Sequence, residues 1–600
     1  MNSTMGKILT VDMNKGLIRT RVTPKEWIEL YTGQKGLATR LLMEDLDPSV
    51  DPLSAENRLV LATSIMAGTI ISCSAKLAVA AKSPQTGTIS DGSVGGHIGA
   101  ELKYAGYDGV TITGRAKNLQ YLYIDPDRVE LRDAEELKGL GAFASETKIK
   151  QMIGDDQVKI LTIGPAGENL VRFACICSEH YRQLGRGGLG AVMGSKNLKA
   201  IAIRGWLDVH VADIEKCMAA AAEAHAHDNI LDPENDNYVY GTPVLVDMAQ
   251  QSGLLPTRNF QTGRFEGSKR INGETFKSLR KNKKACFSCG IACGNYVQVE
   301  GSTVEGPEFE TIAICGSNIA NGDPKLLIEL NALCDDMGMD TISTGGVLAC
   351  MMEMTEKGLH DFGIRFGDAS KAIEMARQIA HLQGVGKDAA LGTLALAKKH
   401  GAPQLAMQIK GMELPGYDPR GSWGMGLAYA TAPRGGCHMT TYPVALEAWG
   451  NLDPFTFEGK AELISTGQNA QFAKFSMGIC DFWPIESKTL GKLFEATYGG
   501  SWPEEKVDLT GERIFNLQRM FNVMAGFTGK DDRLPPRFHE ETLSEGPPQG
   551  IKMTEQAFAA TLKEYYDLRG WDKQGRPTVE TLTRLGIEKE LIERYRKSLK

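Results

Sequence analysis

The 600-residue sequence is 42% hydrophobic and 24% charged, enough to bury a large core and to divide into two to four domains. Its 67 Lys and Arg against 74 Asp and Glu give a formal charge of -7. That balance is too mild and too evenly spread for a nucleic-acid or polyanion binder, and the length excludes a small disulfide-stapled or disordered module.

The N-terminus, Met1 to Lys7, lacks a basic region followed by an apolar run, and no later stretch approaches the ~20 apolar residues of a membrane span. The sequence therefore reads as cytoplasmic. Up to about Trp206 it alternates β-branched runs with glycine-rich turns, as in Lys7–Val11, Gly109–Thr113 and Lys159–Ile163, which predicts a β-rich domain with interspersed helices. Two runs are dense in glycine, Ser93 to Gly99 and Gly185 to Gly190. Such runs let backbone amides approach a phosphate or polar heterocycle, and Arg186 can pair with a phosphate; the plainer reading is a pair of tight turns. Neither run is a Walker loop or a nicotinamide fingerprint.

Beyond Trp206 the texture becomes alanine-rich, with apolar residues at three- and four-residue spacing in Asp213–His227, Lys325–Met337 and Ala369–His381. These segments are expected to be helices. No internal repeat or low-complexity linker interrupts them, so the domains should pack closely.

Twelve cysteines are too few for a disulfide framework in a chain this long. Three are clustered as Cys286-x-x-Cys289-x-x-x-Cys293, in a loop after the basic stretch Arg280 to Lys284. Three thiolates at this spacing can hold one corner of a cubic iron–sulfur cluster, with a fourth cysteine arriving from elsewhere. A structural zinc site is the alternative, although it would usually bring a second C-x-x-C knuckle. The spacing leaves the other nine cysteines open as fourth ligand.

The run Gly185–Ala200 resembles the pterin-binding segment of the aldehyde:ferredoxin oxidoreductase family, and so does Gly99–Asp108. The resemblance continues in order through Tyr240–Thr242, Gly306–Glu310, Asp340–Gly346, Tyr417–Gly421 and Leu568–Trp571, spanning nearly all of the chain. It implies an α+β fold: a β-rich pterin-binding domain over 1–206, a helical domain over 207–405 carrying three cluster cysteines, and a helical domain over 406–600 carrying the fourth.

The resemblance further implies a tungsten (or molybdenum) bis-pterin centre, one 4Fe-4S cluster held by Cys286, Cys289, Cys293 and Cys480, and room for a magnesium ion bridging the pterin phosphates. It assigns Glu310 and His438 as the acid–base pair near the metal. Lys76, Ser93, Gly95, Gly96, Arg186, Gly187, Gly188, Asp335 and Asp340 are expected to surround the cofactor.

Three departures stand out. Phe475 occupies the position where the family pattern has an aspartate five residues before the last cluster cysteine, and a phenyl ring cannot accept a hydrogen bond from a pterin amine. Lys76 stands for arginine, and Ser93 for asparagine. Cys315 lies close after Glu310, where it either packs as a small buried residue or approaches the metal. An iron-bridged dimer through E-x-x-H is not expected, because Glu329 is followed by Leu330, Asn331 and Ala332.

The implied activity is oxidation of an aldehyde to its acid, with electrons passed to ferredoxin or an iron–sulfur subunit. Reduction of an aromatic acyl-CoA thioester is the second reading. A non-catalytic electron-transfer scaffold is the third, and it would need the cluster ligands but neither the pterin segments nor Glu310 and His438. Other oligomeric states stay open.

Overall fold

The computed structural model describes residues 1–228, 231–299 and 301–600. The first 203 residues build two six-stranded mixed sheets. The first contains β1 (Lys7–Asp12), β2 (Leu17–Val22), β3 (Leu59–Ala62), β4 (Leu77–Lys82), β5 (Ile89–Val94) and β6 (Gly109–Thr113), in the spatial order β2-β1-β6-β3-β4-β5. The second contains β7 (Gln120–Ile124), β8 (Val129–Asp133), β9 (Lys159–Thr162), β10 (Ile176–Ser178), β11 (Arg182–Leu184) and β12 (Leu198–Ile203), in the order β11-β10-β9-β12-β7-β8.

Two-residue side-chain alternation explains how these sheets stack. Leu59 and Leu61 of β3, with Leu77 and Val79 of β4, face Leu161, Ile201 and Ile203 in a core between the two sheets. Their neighbours Val60, Ala62, Ala78 and Ala80 belong instead to the large core shared with the helices. Both faces of β3 and β4 are therefore buried, while the edge strand β2 is largely exposed. On its own outer face, the second sheet packs Tyr121, Tyr123, Ile160 and Ala202 against Ile149 of helix Ala142–Ile153.

After Ile203 the chain is mainly helical. The expected helices appear as Ile214–Asp228, Pro324–Met337 and Ala369–Ala380. Helix Ala369–Ala380 buries Ala372, Ile373, Ala376, Ile379 and Ala380, the three- and four-residue stripe that its sequence shows. One reading shifts in detail: the basic stretch Arg280–Lys284 is itself a strand, pairing antiparallel with Gly294–Val299, so the cysteine loop is the connection of a hairpin. Among the described residues no helix is long and apolar enough to cross a membrane.

The helical part carries buried charge. Asp532, fully buried, accepts bidentate hydrogen bonds from Arg519 at 3.0 and 2.7 Å, pairs with Lys410 at 2.8 Å, and accepts from Tyr566 at 2.7 Å. Burial alone would raise its pKa, but Arg519 and Lys410 outweigh that and hold the carboxyl down to about 2. A folded-state pKa below the unfolded value stabilises the protein above the unfolded carboxylate range and is lost as pH falls towards 2. Asp532→Asn should cost about 3–5 kcal/mol at neutral pH, because two cations are left buried without a counter-charge. A thermal midpoint within a degree or two of wild type would contradict this.

Candidate active site

A cavity of about 530 Å³ lies where the sheet base meets the helical part. The loop after β3 brings Cys73 and Lys76 to its wall, and the end of β5 brings Asp91, Ser93 and Gly95. Arg182 of β11 and the residues after it, through Arg186, form the next segment. The helical side contributes Glu310, Asp335, Asp340 and His438, and the end of helix Lys460–Ser476 contributes Phe475, followed by Cys480.

Cys286, Cys289, Cys293 and Cys480 all line this one cavity although Cys480 is nearly 200 positions away. Backbone hydrogen bonds hold the corner together: Phe287 donates to the Gly96 carbonyl at 3.1 Å and Cys480 to the Cys73 carbonyl at 2.9 Å. A Cβ at Gly95 would come within 2.9 Å of the Cys286 sulfur, so the glycine lets that thiol reach the wall.

Two cations, Arg182 and Lys76, face the thiols, and Arg182 also pairs with Glu305 at 3.5 Å and Glu308 at 3.6 Å. Burial disfavours the Arg182 and Lys76 cations, yet the thiols hold both pKa values up: Cys286 and Cys293 act on Arg182, and Cys480 and Cys286 on Lys76. Cys289 is pulled down to about 6, first by its hydrogen bond with Cys73 and then by the Ala292 and Ile291 amides and Arg182, against the effect of burial. Cys73 was not singled out by any sequence pattern. Neither was Arg182, since nothing local distinguishes it from other arginines.

The residues expected around a pterin divide into two groups. Arg186 spends its donors on protein: the Gly436 carbonyl at 2.6 Å, the Glu413 carbonyl, and Asp340 at 3.4 Å. Asp340 is the N-cap of helix Thr341–Glu356, accepting from the Ile342 and Ser343 amides. These two residues fasten the sheet base to the helical part at the cavity's edge.

Asp335 is freer. Its carboxyl accepts from Asn331 at 3.0 Å, and burial and the nearby Asp336 push its pKa up to about 8, so it can offer a proton near neutral pH. Asn331 is itself buried and acts here as a donor, while the histidine position of E-x-x-H is taken by Ala332. Ser93 accepts from Gln34 at 2.7 Å.

Gly96, Gly187 and Gly188 are not among the residues bordering the cavity. A Cβ at each would collide with the Glu179 carboxylate, the Ser90 hydroxyl and the Arg172 carbonyl, respectively. Their lack of side chain serves chain-to-chain packing, and of the two runs only Ser93, Gly95, Gly185 and Arg186 reach the cavity.

Glu310 sits in the first turn of helix Phe309–Cys315, and His438 follows the turn Arg434–Cys437. Glu310 Oε1 and His438 Nε2 are 3.6 Å apart, with 17% and 14% of the side-chain surfaces open to the cavity. Burial raises the Glu310 carboxyl to about 7, although the Gly416 amide and Arg186 pull the other way. Burial, with Arg186 and Arg434, drives His438 well below its ordinary value, so the imidazole is neutral and the two are in contact without being an ion pair.

Tyr417 stacks on Phe309 with ring centroids 4.9 Å apart and receives a hydrogen bond from the Tyr442 hydroxyl at 2.6 Å, giving the pair an aromatic wall. Cys315 is fully buried, donates to the Thr341 carbonyl at 3.2 Å, and does not reach the cavity.

Phe475 lies beside Lys35, whose ammonium is 5.5 Å from its ring centre and forms an ion pair with Asp91. Asp91 is only 3% exposed; burial would raise its pKa, but Lys35 and Arg434 lower it. An acid therefore does stand on the same cavity wall as Phe475, linked to it through Lys35 and carried by a strand far away in sequence.

Family models for the N-terminal domain and for domains 2 and 3 of aldehyde ferredoxin oxidoreductase match residues 8–205 and 219–587. The chain belongs to the aldehyde ferredoxin oxidoreductase family. Among its relatives, the tungsten-containing aldehyde ferredoxin oxidoreductase of Pyrococcus furiosus is 39% identical, over 98% of this chain and 99% of that one. The aliphatic sulfonate oxidoreductase WOR-like subunit of the same organism is 30% identical over 99% of both. A solved structure, the active site complex BamBC of benzoyl coenzyme A reductase with 1,5-dienoyl-CoA, matches with a TM-score of 0.86 and 25% identity, covering 99% of each chain. This aldehyde ferredoxin oxidoreductase family member is thus an oxidoreductase by kinship, with the family's sheet base and helical cover.

Proposed function

We propose that this chain oxidises aldehydes to carboxylic acids at a tungsten (or molybdenum) bis-pterin centre and passes the electrons through a 4Fe-4S cluster to ferredoxin or an iron–sulfur subunit. The observation that carries the reading is the pairing of Glu310, poised near neutrality, with neutral His438 on the same cavity that gathers Cys286, Cys289, Cys293 and Cys480. General acid–base groups work best when their pKa lies near the working pH.

The cavity wall suits a large polar cofactor. Glu310 Oε1, His438 Nδ1, Thr440 Oγ1, Gln183 Nε2 and two nitrogens of Arg182 are buried there without a protein partner. Each such atom costs about 1–3 kcal/mol unless something binds it, so a bound group would satisfy several at once. In this reading the four cysteines would hold the cluster, Lys76 would stand beside it, and Ser93, Gly95 and Asp335 would face a pterin. Asp91 supplies the acceptor that Phe475 lacks. Arg186 and Asp340 would shape the pterin floor, Gly96, Gly187 and Gly188 would support it, and a magnesium ion would complete the cofactor set.

The pterin-bound metal, when present, supplies a Lewis acid and a two-electron acceptor. Oxidation adds one water to the carbonyl and releases two electrons and two protons. Glu310 as carboxylate takes a proton from that water. His438 presents a neutral imidazole to the same oxygen, with Nε2 towards Glu310 and Nδ1 free to bond substrate. The rings of Tyr417 and Tyr442 limit water on that side.

Twelve free cysteines suit a reducing, cytoplasmic setting. Anaerobic purification, quantification of tungsten, molybdenum and iron, and an aldehyde-dependent viologen reduction assay test the proposal. Iron and tungsten without aldehyde oxidation would reject the activity while keeping the cofactor. The match to benzoyl coenzyme A reductase favours a second reading, reduction of an aromatic acyl-CoA thioester. Acyl-CoA consumption driven by a low-potential viologen, with aldehydes inert, would select it.

A further inference from the structure

Beside the four proposed cluster thiols stands a fifth. Cys73 is 4% exposed and lies with its sulfur 3.5 Å from the Cys289 sulfur, across 216 residues of sequence. Its backbone is clamped on both sides: the Cys73 amide donates to the Ser288 carbonyl and its carbonyl accepts from the Cys480 amide, each at 2.9 Å. Cys73 is thereby held between the two cysteine-bearing segments. A four-thiol cluster leaves it without a role.

We propose that Cys73 and Cys289 form a reversible disulfide when the iron–sulfur group is absent, so that Cys73 is a redox modification site guarding the empty ligand corner. The setting rests on the cluster reading above; the bond rests only on the two sulfurs. Closing from contact to a bond of ~2.05 Å needs the sulfurs to approach by about 1.5 Å. Cys289 is half-buried and opens on the cavity, so an oxidant has access to it. Cys175 and Cys177, 3.8 Å apart but both buried away from the cavity, lack that access and serve as a contrast.

The oxidant is a small organic disulfide such as oxidised glutathione. The Cys289 sulfur attacks it, gives up its proton and expels one thiol, leaving a mixed disulfide. The Cys73 sulfur then attacks the Cys289 sulfur, gives up its proton and expels the second thiol. The pair loses two electrons and two protons, and the oxidant gains both as two thiols. Cys289 is thus kept from the irreversible sulfinic and sulfonic states, and a thiol reductant restores it.

The test uses the full-length protein purified anaerobically, with and without iron removal by a chelator, then exposed to oxidised glutathione. Thiols are alkylated and peptides mapped by mass spectrometry. The iron-free protein should yield a crosslinked Cys73–Cys289 peptide that a reductant abolishes, and the iron-loaded protein should not. Cys73→Ala, with Cys73→Ser as a second form, should retain wild-type iron when purified anaerobically. After an oxidant and reductant cycle, these variants should regain less iron than wild type.

Alkylatable Cys73 in the oxidised iron-free protein, or a crosslink joining other cysteines instead, would overturn the proposal. So would loss of iron from folded Cys73→Ala and Cys73→Ser, which would make Cys73 a ligand. A Cys73–Cys289 crosslink in a protein that never holds iron would uphold the disulfide and reject the cluster reading.

Discussion

Glu310→Gln and His438→Asn should each lower aldehyde-dependent viologen reduction by about 10²–10⁴-fold, the usual contribution of a positioned proton-transfer group, while leaving tungsten and iron in place. Both changes keep shape and remove the ability to exchange a proton. Neither residue donates to the cysteine corner, and the Glu310 carboxylate accepts from the Gly416 amide through Oε2, a contact that an amide oxygen can retain.

The pH profile separates chemistry from packing. With its carboxyl raised to about 7, Glu310 is protonated at lower pH and ionised at higher pH. A base must be ionised, so wild-type kcat/KM should rise through about pH 7 and level off above it. Glu310→Gln should flatten that limb. His438, held well below its ordinary value, should add no second limb near neutrality. Cys315→Ser is the comparison: a buried side chain outside the cavity, it should change turnover far less than either. Unaltered turnover in both variants at wild-type metal content would remove the pair from the mechanism.

Cys480→Ser should lose most of the iron, and turnover with it. Three thiols come from one hairpin connection, and Cys480 joins them from the end of another element, its amide bonded to the Cys73 carbonyl at 2.9 Å. Without the fourth thiolate the corner is left with Arg182 and Lys76 facing fewer anions, and a group that binds only the folded ligand set is released. Iron analysis and the electron paramagnetic resonance spectrum of the reduced protein read the loss directly. Wild-type iron and an unchanged spectrum in this variant would show that Cys480 is not a ligand.

Short-range pattern made part of this legible. Alternation in Gly109–Thr113 and the three- and four-residue stripe of Ala369–Ala380 mark elements whose periodicity is set by backbone geometry, and both appear where expected. The three clustered cysteines are legible for the same reason, since a loop of eight residues keeps its own thiols close. Family resemblance then supplied Cys480, Glu310 and His438, which no spacing rule could have joined.

The tertiary structure alone decided the rest. It put Lys35, paired with Asp91, beside Phe475, Arg182 against the thiols, and Cys73 against Cys289, contacts between segments that nothing in local sequence relates. It also showed that Gly96, Gly187 and Gly188 pack against Glu179, Ser90 and Arg172; a glycine shows only that space is short and not what occupies it. The sequence by itself determined the periodic elements and the cysteine loop, through forces acting over a few residues. Which charges and thiols share one wall depends on how sheets and helices pack, and so does the poise of Glu310, since burial is a property of the assembled surroundings.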